Sequence, residues 1–346
     1  MNKPHEARLD SSIIVPFVIF TLVWGSTWLV IRGQIGTVAP QWSVTYRFAM
    51  AAVAMAAVAH WKGHSLRPNR GLLTVAAVVG ISQFCINFNG VYVAERYITS
   101  GIVATVFALL LIPNSLLAWA MLGQRPSTRF AIGGAIAAAG ICLLFVHELQ
   151  SSKASTNEVL AGLGLTLFGM LSASWANVYQ ALDRSRRHPL LAMLAWAMTI
   201  GAVADAVFAA AVAGPPTIDT SPAYWLGLSY LALAATVLSF SLYLPVVRKI
   251  GPGRAAYSSV LVPVIAMGLS TVFEHYQWGL LAVAGGALAL GGMLVALSGS
   301  RGSKVAAPDA ACGITLPVEA ATSSPSRRVD PREARRDASP SSPSPS

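Results

Sequence analysis

The sequence predicts an all-α polytopic membrane protein with ten transmembrane helices in two inverted five-helix repeats. The first observation is composition, since 55% of the 346 residues are hydrophobic and only 11% are charged, whereas soluble domains carry about 25% charged residues. The second is length, because the uncharged runs 97–124 and 220–247 each exceed the roughly 20 residues that span a bilayer as a helix. The third is a repeat, since residues of the first half recur 149 to 151 positions later.

Apolar segments predict the ten helices in chain order. The expected ranges are 13–31, 41–60, 72–94, 98–122 and 130–146, followed by 159–181, 189–213, 222–246, 255–273 and 277–298. Pro40 opens the second helix and Pro189 opens the seventh, while Pro113 interrupts the fourth and Pro263 interrupts the ninth. Because each repeat has an odd number of spans, the second copy is inverted relative to the first, as in many membrane transporters.

The segments outside the spans complete the expected organisation. We expect residues 1–12 to form a cytoplasmic N-terminus before an uncleaved first helix, because no small-residue cleavage site is visible. An external linker, 147–158, joins the first repeat, 13–146, to the second, 159–298. Residues 299–346 are rich in Ser, Pro and Arg and poor in large apolar residues. They predict a disordered basic cytoplasmic tail, with a weak attraction to anionic lipid.

Lysine and arginine residues predict the orientation in the membrane. The loops between spans carry eleven of them on one side and three on the other, and positive residues remain cytoplasmic. Both termini are therefore expected inside, in a multi-pass protein of the inner (plasma) membrane. The eleven are Lys62, Arg67, Arg70, Arg125, Arg129, Arg184, Arg186, Arg187, Arg248, Lys249 and Arg254, and the three are Arg32, Arg96 and Lys153.

The charge and the motif content exclude several classes of function. The net charge of +10 lies in the cytoplasmic loops and the tail, so it requires no nucleic-acid partner. The three cysteines show no CxxC or Cys/His metal spacing. No HExxH, P-loop or G-x-S-x-G motif is present, and the histidines fall at span ends or in loops. We therefore expect no enzyme activity, no cofactor and no metal.

Several of these residues form a pattern similar to that of a known family. The run 24–27, Trp-Gly-Ser-Thr, and Pro40 followed by Arg47 resemble EamA-type members of the drug/metabolite transporter superfamily. The small-residue run and proline of the fourth span and the glycine-rich fifth span, GGAIAAAGICLLF, fit the same pattern. The resemblance covers about 13–298, and it implies the transport of small organic metabolites, most often their export. One departure is Gln124, where the family has an acidic residue that the second repeat keeps as Glu274.

The third span carries the first group of candidate site residues. Polar side chains are costly in hydrocarbon, so we expect them to face the bundle interior or a water-filled cavity. Gln83 and Asn87 follow one helical face, and Tyr92 lies further along the span. These three are predicted to line a substrate path. The alternative is that the amides only bond neighbouring helices.

The first and sixth spans supply a second group. Their candidates are Trp24, Ser26, Thr27, Trp175 and Asn177, which the repeat symmetry places opposite one another. Aromatic walls with a few hydroxyl groups suit an organic solute that has an apolar part. Trp24, Asn87, Tyr92 and Trp175 are expected to approach one cavity near the bilayer midplane.

Two charged residues within spans are candidates for charge balance or coupling. Arg47 is expected about 9 Å from the outer end of its helix, close enough to reach the headgroups, and Asp205 about 12 Å from that end. An aspartate is too short to reach water from there, so either a partner or a cavity should compensate it. Arg47 is one candidate partner, and proton exchange by Asp205 is another interpretation.

The prolines and glycines complete the sequence-based expectations. Pro113 and Pro263 are hinge candidates, because interrupted helices at corresponding positions of two halves indicate binding sites and gates; the alternative is a static kink. Glycine faces in the fifth and tenth spans predict close packing, either within the bundle or between the protomers of a homodimer.

These features together predict a secondary transporter of small organic metabolites that works as an exporter by alternating access. The solute gradient or protons would supply the energy. The alternative is a membrane scaffold or sensor that does not transport and acts through its basic tail. A channel is less consistent with the sequence, which has neither a ring of like charges nor a filter-like repeat.

Overall fold

The computed structural model describes residues 11–151, 154–250, 255 and 257–299, and in these residues it contains helices and no strands. All ten predicted transmembrane helices are present in that part of the chain. Nine are long and apolar enough to cross a membrane, and the ninth in order is a shorter apolar helix of 16 residues. The expected N-terminal segment and tail lie outside the described residues, apart from the helical residues at 11–12 and 299.

The helices are named α1 to α10 in chain order. In the first half, α1 is Ser11–Arg32, α2 is Pro40–Trp61, α3 is Arg70–Ala94, α4 is Ser100–Leu122 and α5 is Thr128–Ser151. In the second half, α6 is Thr156–Ala181, α7 is Leu190–Ala213, α8 is formed by the successive segments Pro222–Ser229, Tyr230–Leu238 and Ser239–Ile250, α9 is Ser258–Phe273 and α10 is Leu280–Gly299. A short helix, Asp183–Arg186, lies between α6 and α7.

Local sequence signals define several of the helix ends. Asn69 caps α3, since its side-chain oxygen accepts a hydrogen bond from the Leu72 amide at 2.8 Å. Ser155 and Glu158 form a capping box at the start of α6. Gly123 ends α4 in the left-handed conformation, with φ 70°, which glycine adopts without strain.

The junction between the repeats is more helical than expected. The fifth helix continues to Ser151 and the sixth begins at Thr156, so helix covers much of the expected linker 147–158. The reason is packing against protein rather than lipid. His147 and Glu148 are buried there, and the His147 ring nitrogen bonds the Gln277 carbonyl at 2.7 Å.

Helix contacts recur between the two halves. The first helix, α1, packs on α8 and α9, and its counterpart α6 packs on α3 and α4. In the same way α2 contacts α8, and α7 contacts α3. Two further pairs, α2 with α7 and α5 with α10, join helices that are equivalent in the repeats. This pattern is that of a two-fold relation, and the odd number of helices per copy makes it an inverted one.

Two π-helical segments occupy equivalent places in the repeats. Gly80–Asn87 lies within α3, and Tyr230–Leu238 lies within α8, 150 positions later. A β-carbon on Gly80 would lie 2.5 Å from the Ala197 carbonyl oxygen, so this segment touches the backbone of α7. Segments with i→i+5 bonding are uncommon and are frequent at functional sites. The sequence did not indicate them.

The two prolines have different effects, and the expected interruption of the ninth helix is wrong for the described residues. Helix α4 ends its first segment at Ala108 and resumes at Leu111, just before Pro113. In contrast, α9 is continuous through Pro263. Pro263 lies near the start of α9, and only the bond that its missing N–H would make to Ser259 is lost.

The glycine faces pack within the bundle. A β-carbon on Gly133 or Gly140 of α5 would lie 2.3 or 2.4 Å from a backbone nitrogen of α10. The same applies in reverse, since a β-carbon on Gly292 would lie 2.3 Å from the Ala137 nitrogen. These two helices therefore touch backbone to backbone, as small-residue interfaces in membranes do. A homodimer stays a prediction.

Candidate functional site

A cavity lies between the two repeats and is lined by seven of the ten helices. It contains about 940 Å³ of space, a volume that includes the open solvent at its mouth. Aromatic rings form most of its wall, with few polar groups among them. The lining residues used below are Trp24, Thr27 and Trp28 of α1, Arg47 and Phe48 of α2, Gln83, Phe84, Asn87 and Phe88 of α3, Ala104 and Phe107 of α4, Phe240 of α8 and Pro263 of α9.

Helix α1 contributes two tryptophans in different states. The Trp24 indole N–H donates to the Ala235 carbonyl at 3.0 Å, which ties α1 to the π-helical segment of α8. The Trp28 ring packs on Phe107 with 5.2 Å between centroids, and its buried indole N–H has no partner. A buried donor without a partner is costly, so Trp28 presents an unused hydrogen-bond donor at the cavity.

The π-helical segment of α3 contributes two amides. Gln83 and Asn87 both line the cavity and are both at most 5% exposed. The side-chain oxygens of both residues lack a hydrogen-bond partner. Bonding of the i→i+5 type widens the helical turn, so it changes which side chains of α3 face the cavity together. Both residues line the cavity, and their place on a substrate path stays a prediction.

Arg47 carries the positive charge of the cavity. Its guanidinium carbon lies 4.5 Å from the Phe88 ring centroid and 5.2 Å from that of Phe48. One nitrogen, Nη1, donates to the Tyr92 hydroxyl at 3.4 Å, while the buried Nε–H has no partner. Tyr92 itself is fully buried and supports Arg47 from outside the group of lining residues.

Asp205 does not pair with Arg47, contrary to one expectation. Its Oδ1 accepts a 2.6 Å hydrogen bond from the Asn89 amide, with the Cys85 thiol as a further neighbour. Among the described residues the only ion pair is Arg32 with Glu274, at 3.7 Å. The two side chains do not meet because they point in different directions. Arg47 faces the cavity, whereas Asp205 faces the contact between α3 and α7. Its role in coupling stays a prediction.

Three other candidates lie away from the cavity. Trp175 is 43% exposed on the outside of the bundle. It follows Ala173, the α6 residue at the cavity, by two positions, a rotation of about 200°. Ser26 bonds the Tyr230 hydroxyl at 2.7 Å, where the π-helical segment of α8 begins. Asn177 donates to the Asn114 side chain at 3.3 Å, beside Pro113.

A cluster that the sequence did not indicate lies at the end of the bundle where α1 terminates, here called the Arg32 end. Glu95 is fully buried there, and neither of its carboxylate oxygens has a hydrogen-bond partner. Glu274 accepts hydrogen bonds from the Ser100 amide and hydroxyl. Burial and the neighbouring Glu274 carboxylate raise the pKa of Glu95 well above its usual value. The sequence did not indicate Glu95, because this residue directly follows an expected span, where a loop residue is expected.

Two inverted repeats around an aromatic cavity with few polar groups define a membrane transporter. The chain belongs to the EamA-like transporter family, whose profile matches residues 11–146 and 160–298. This confirms the resemblance that the motifs of the first two spans predicted.

Related proteins carry transporter names. The chain is 29% identical to the inner membrane transporter YedA of Escherichia coli strain K12 over 254 residues, which cover 72% of this chain and 79% of YedA. It is 24% identical to the transporter YyaM of Bacillus subtilis strain 168 over 266 residues, or 75% of this chain and 85% of YyaM. A probable amino-acid metabolite efflux pump of Salmonella typhimurium is 25% identical over 175 residues, or 47% of this chain and 58% of the pump.

A solved crystal structure shares the fold. It aligns with a TM-score of 0.59 at 18% identity, covering 83% of this chain and 96% of the other. The likeness supports the ten-helix arrangement.

Proposed function

We propose that the protein is a secondary transporter that exports small organic metabolites across the cytoplasmic membrane by alternating access. The observation that carries the proposal is the cavity between the repeats, where aromatic rings surround a few polar groups without partners. Such a site suits a solute with both an apolar and a polar part. The name of the Salmonella relative, an efflux pump, supports the direction.

Alternating access requires that the lining helices move against one another around the cavity. Helix α4 is interrupted between Ala108 and Leu111, and the interruption provides a place to bend. The Arg32–Glu274 ion pair and the bonds of Ser100 to Glu274 hold α1, α4 and the end of α9 together at the Arg32 end. We assign these contacts to a gate that opens when they break.

The orientation follows from the positive charges of the loops. We assign the Arg32 end to the outside and both termini to the cytoplasm. Impermeant labelling of single-cysteine variants in intact cells tests this assignment. Labelling at position 218 and not at position 64 is expected, and the reverse pattern would contradict it.

The test of transport compares metabolites in cells with and without the gene, followed by flux of the accumulated solutes in proteoliposomes. Ala104 lines the cavity on α4, so Ala104→Leu should fill part of it and lower transport. The matched control is Ala131→Leu at an exposed position of α5, which should transport normally. If no solute moves in vesicles that contain folded wild-type protein, the proposal is wrong.

A further inference from the structure

We infer that the central cavity takes an organic anion, whose carboxylate or similar acidic group binds the Arg47 guanidinium while its apolar part lies against the aromatic rings. The inference rests on the proposed transport function and narrows it to a class of substrate. It also predicts that the cavity binds organic acids more tightly than zwitterionic amino acids.

Arg47 carries a buried positive charge that no described ion pair neutralises. The residue is 3% exposed, so water does not solvate it fully, and a buried cation without a counter-ion is costly. Its described contacts are two aromatic rings and one tyrosine hydroxyl, none of which carries a negative charge. Its Nε–H is buried and unused. An anionic ligand would supply both the missing charge and the missing acceptor.

The carboxylates of the described residues make no ion pair with Arg47. The charge of Arg47 does act on Glu95, but the two side chains are not paired. Asp205 faces α3 and α7, where Asn89 holds it. Glu148 and Glu274 belong to the Arg32 end. None of the described carboxylates forms an ion pair or a hydrogen bond with Arg47, so the guanidinium is available to a ligand.

A positive group on a ligand would find no counter-ion in the described part of the cavity wall. Among the described residues that line the cavity there is no aspartate and no glutamate. The ammonium group of an amino acid would lose its hydration there and gain only weak contacts with aromatic faces and amide oxygens. The cavity therefore favours an acid without an amino group.

The remaining polar groups of the cavity also suit an acidic ligand. The Arg47 guanidinium carbon lies 4.5 Å from the Phe88 ring centroid, and a guanidinium binds carboxylates through N–H groups in its plane. The Trp28 indole N–H is a second donor that has no partner. The Gln83 and Asn87 oxygens suit a hydroxyl or amide N–H on the ligand. A solute with one acidic group and an apolar or aromatic body matches this arrangement.

The test uses purified full-length protein in nanodiscs, with binding measured by calorimetry. The probes are 3-phenylpropionate, hexanoate and indole-3-acetate, each with its neutral amide, together with phenylalanine, which adds an ammonium group to 3-phenylpropionate. At least one acid should bind about tenfold or more tightly than its amide, because charge-assisted bonds are roughly twice as strong as neutral ones. Phenylalanine should bind more weakly than 3-phenylpropionate. Equal affinity of acids and amides, tighter binding of phenylalanine, or no binding of any acid would overturn the inference.

Variants identify the anchoring residue. Arg47→Gln should reduce the affinity for the acid to that of the amide, and Arg67→Gln, the same change at an exposed position, should leave it unaltered. If Arg47→Gln does not fold, Trp28→Phe removes the indole N–H and keeps a smaller aromatic ring at that position, and it should weaken binding of the acid more than binding of the amide. Discrimination that survives in Arg47→Gln would contradict the assignment.

The outcome for substrate class is separable from the outcome for transport. Saturable transport of the acids by Arg47→Gln at the wild-type rate would overturn the anion inference and leave the transport function intact. Failure of wild-type vesicles to move any solute, acids included, would overturn the transport function.

Discussion

The Asn89 amide donates a 2.6 Å hydrogen bond to Oδ1 of Asp205, and this bond joins α3 to α7 across the interface between the repeats. Both residues are buried, at 7% and 0% exposure. The bond explains how a carboxylate is held within a span without an arginine beside it. It also separates Asp205 from the cavity, which lies on the other side of α3.

The Asn89–Asp205 bond should be measurable as a coupling energy. Either single change to alanine should destabilise the protein by about 1–3 kcal/mol, because each leaves a buried polar partner unsatisfied. The double change should cost less than the sum, with a coupling of about 0.5–3 kcal/mol. The measurement is unfolding in detergent. A coupling of that size between Arg47 and Asp205 would instead revive the ion pair that the geometry contradicts.

Glu95 should make stability depend on pH. Because its pKa is raised in the folded state, the folded protein holds a proton that the unfolded chain has lost above its ordinary pKa, 4.5. Stability should therefore fall as the pH rises above that value. Glu95→Gln should remove this loss and stabilise the protein at pH 7 to 8, as measured by thermal unfolding between pH 5 and 8. Asp183→Asn, at an exposed carboxylate, is the control and should leave the slope unchanged.

Gly140 should not tolerate a side chain, because α5 and α10 touch backbone to backbone at this position. A β-carbon on Gly140 would lie 2.4 Å from the Ala289 nitrogen and 2.5 Å from the Gly285 oxygen, so Gly140→Ala should cost about 1–3 kcal/mol or more. A β-carbon on Gly286 would lie in open space, so Gly286→Ala should be neutral or stabilising by up to about 1 kcal/mol. Thermal unfolding of both variants is the measurement. Equal stability of the two would contradict the backbone contact.

Trp24 and Trp175 occupy matching places in the repeats and should respond differently to substitution. Trp24 is 4% exposed and lines the cavity, so Trp24→Ala should cost about 3–5 kcal/mol of packing and lower transport severely. Trp175 faces outward, so Trp175→Ala should keep transport within about twofold of wild type. Vesicle transport, normalised to folded protein, checks both. A strong transport loss from Trp175→Ala with intact folding would place it on the path after all.

The spans and the repeat could be predicted because the bilayer restricts the chain to helices of a known length. The same constraint brought Gln83, Asn87 and Arg47 to the cavity, since a polar group within a span is costly unless it faces the interior. These three residues could therefore be chosen as candidates from the sequence alone.

The rotation and the hydrogen-bond register of the helices could not be predicted. Trp175 lies in a helix that has apolar residues on every face, so its direction depends on packing that hydropathy does not encode. The π-helical register of 80–87 likewise leaves no compositional mark. Glu95 was not predicted because a residue that follows a span is expected to be in contact with water, whereas tertiary contacts bury Glu95 completely.

The π-helical segment of α3 also determines how that helix can be edited. Its wide turn accommodates an additional residue, so a one-residue deletion within 80–87 can be absorbed by a return to regular α-helix, with the residues beyond it kept close to their present direction. Asn89 would still face Asp205, and Tyr92 would still face Arg47. A one-residue deletion at this irregular point should therefore be less damaging than one in a regular α-helical stretch of the bundle, where it rotates everything beyond it by about 100°.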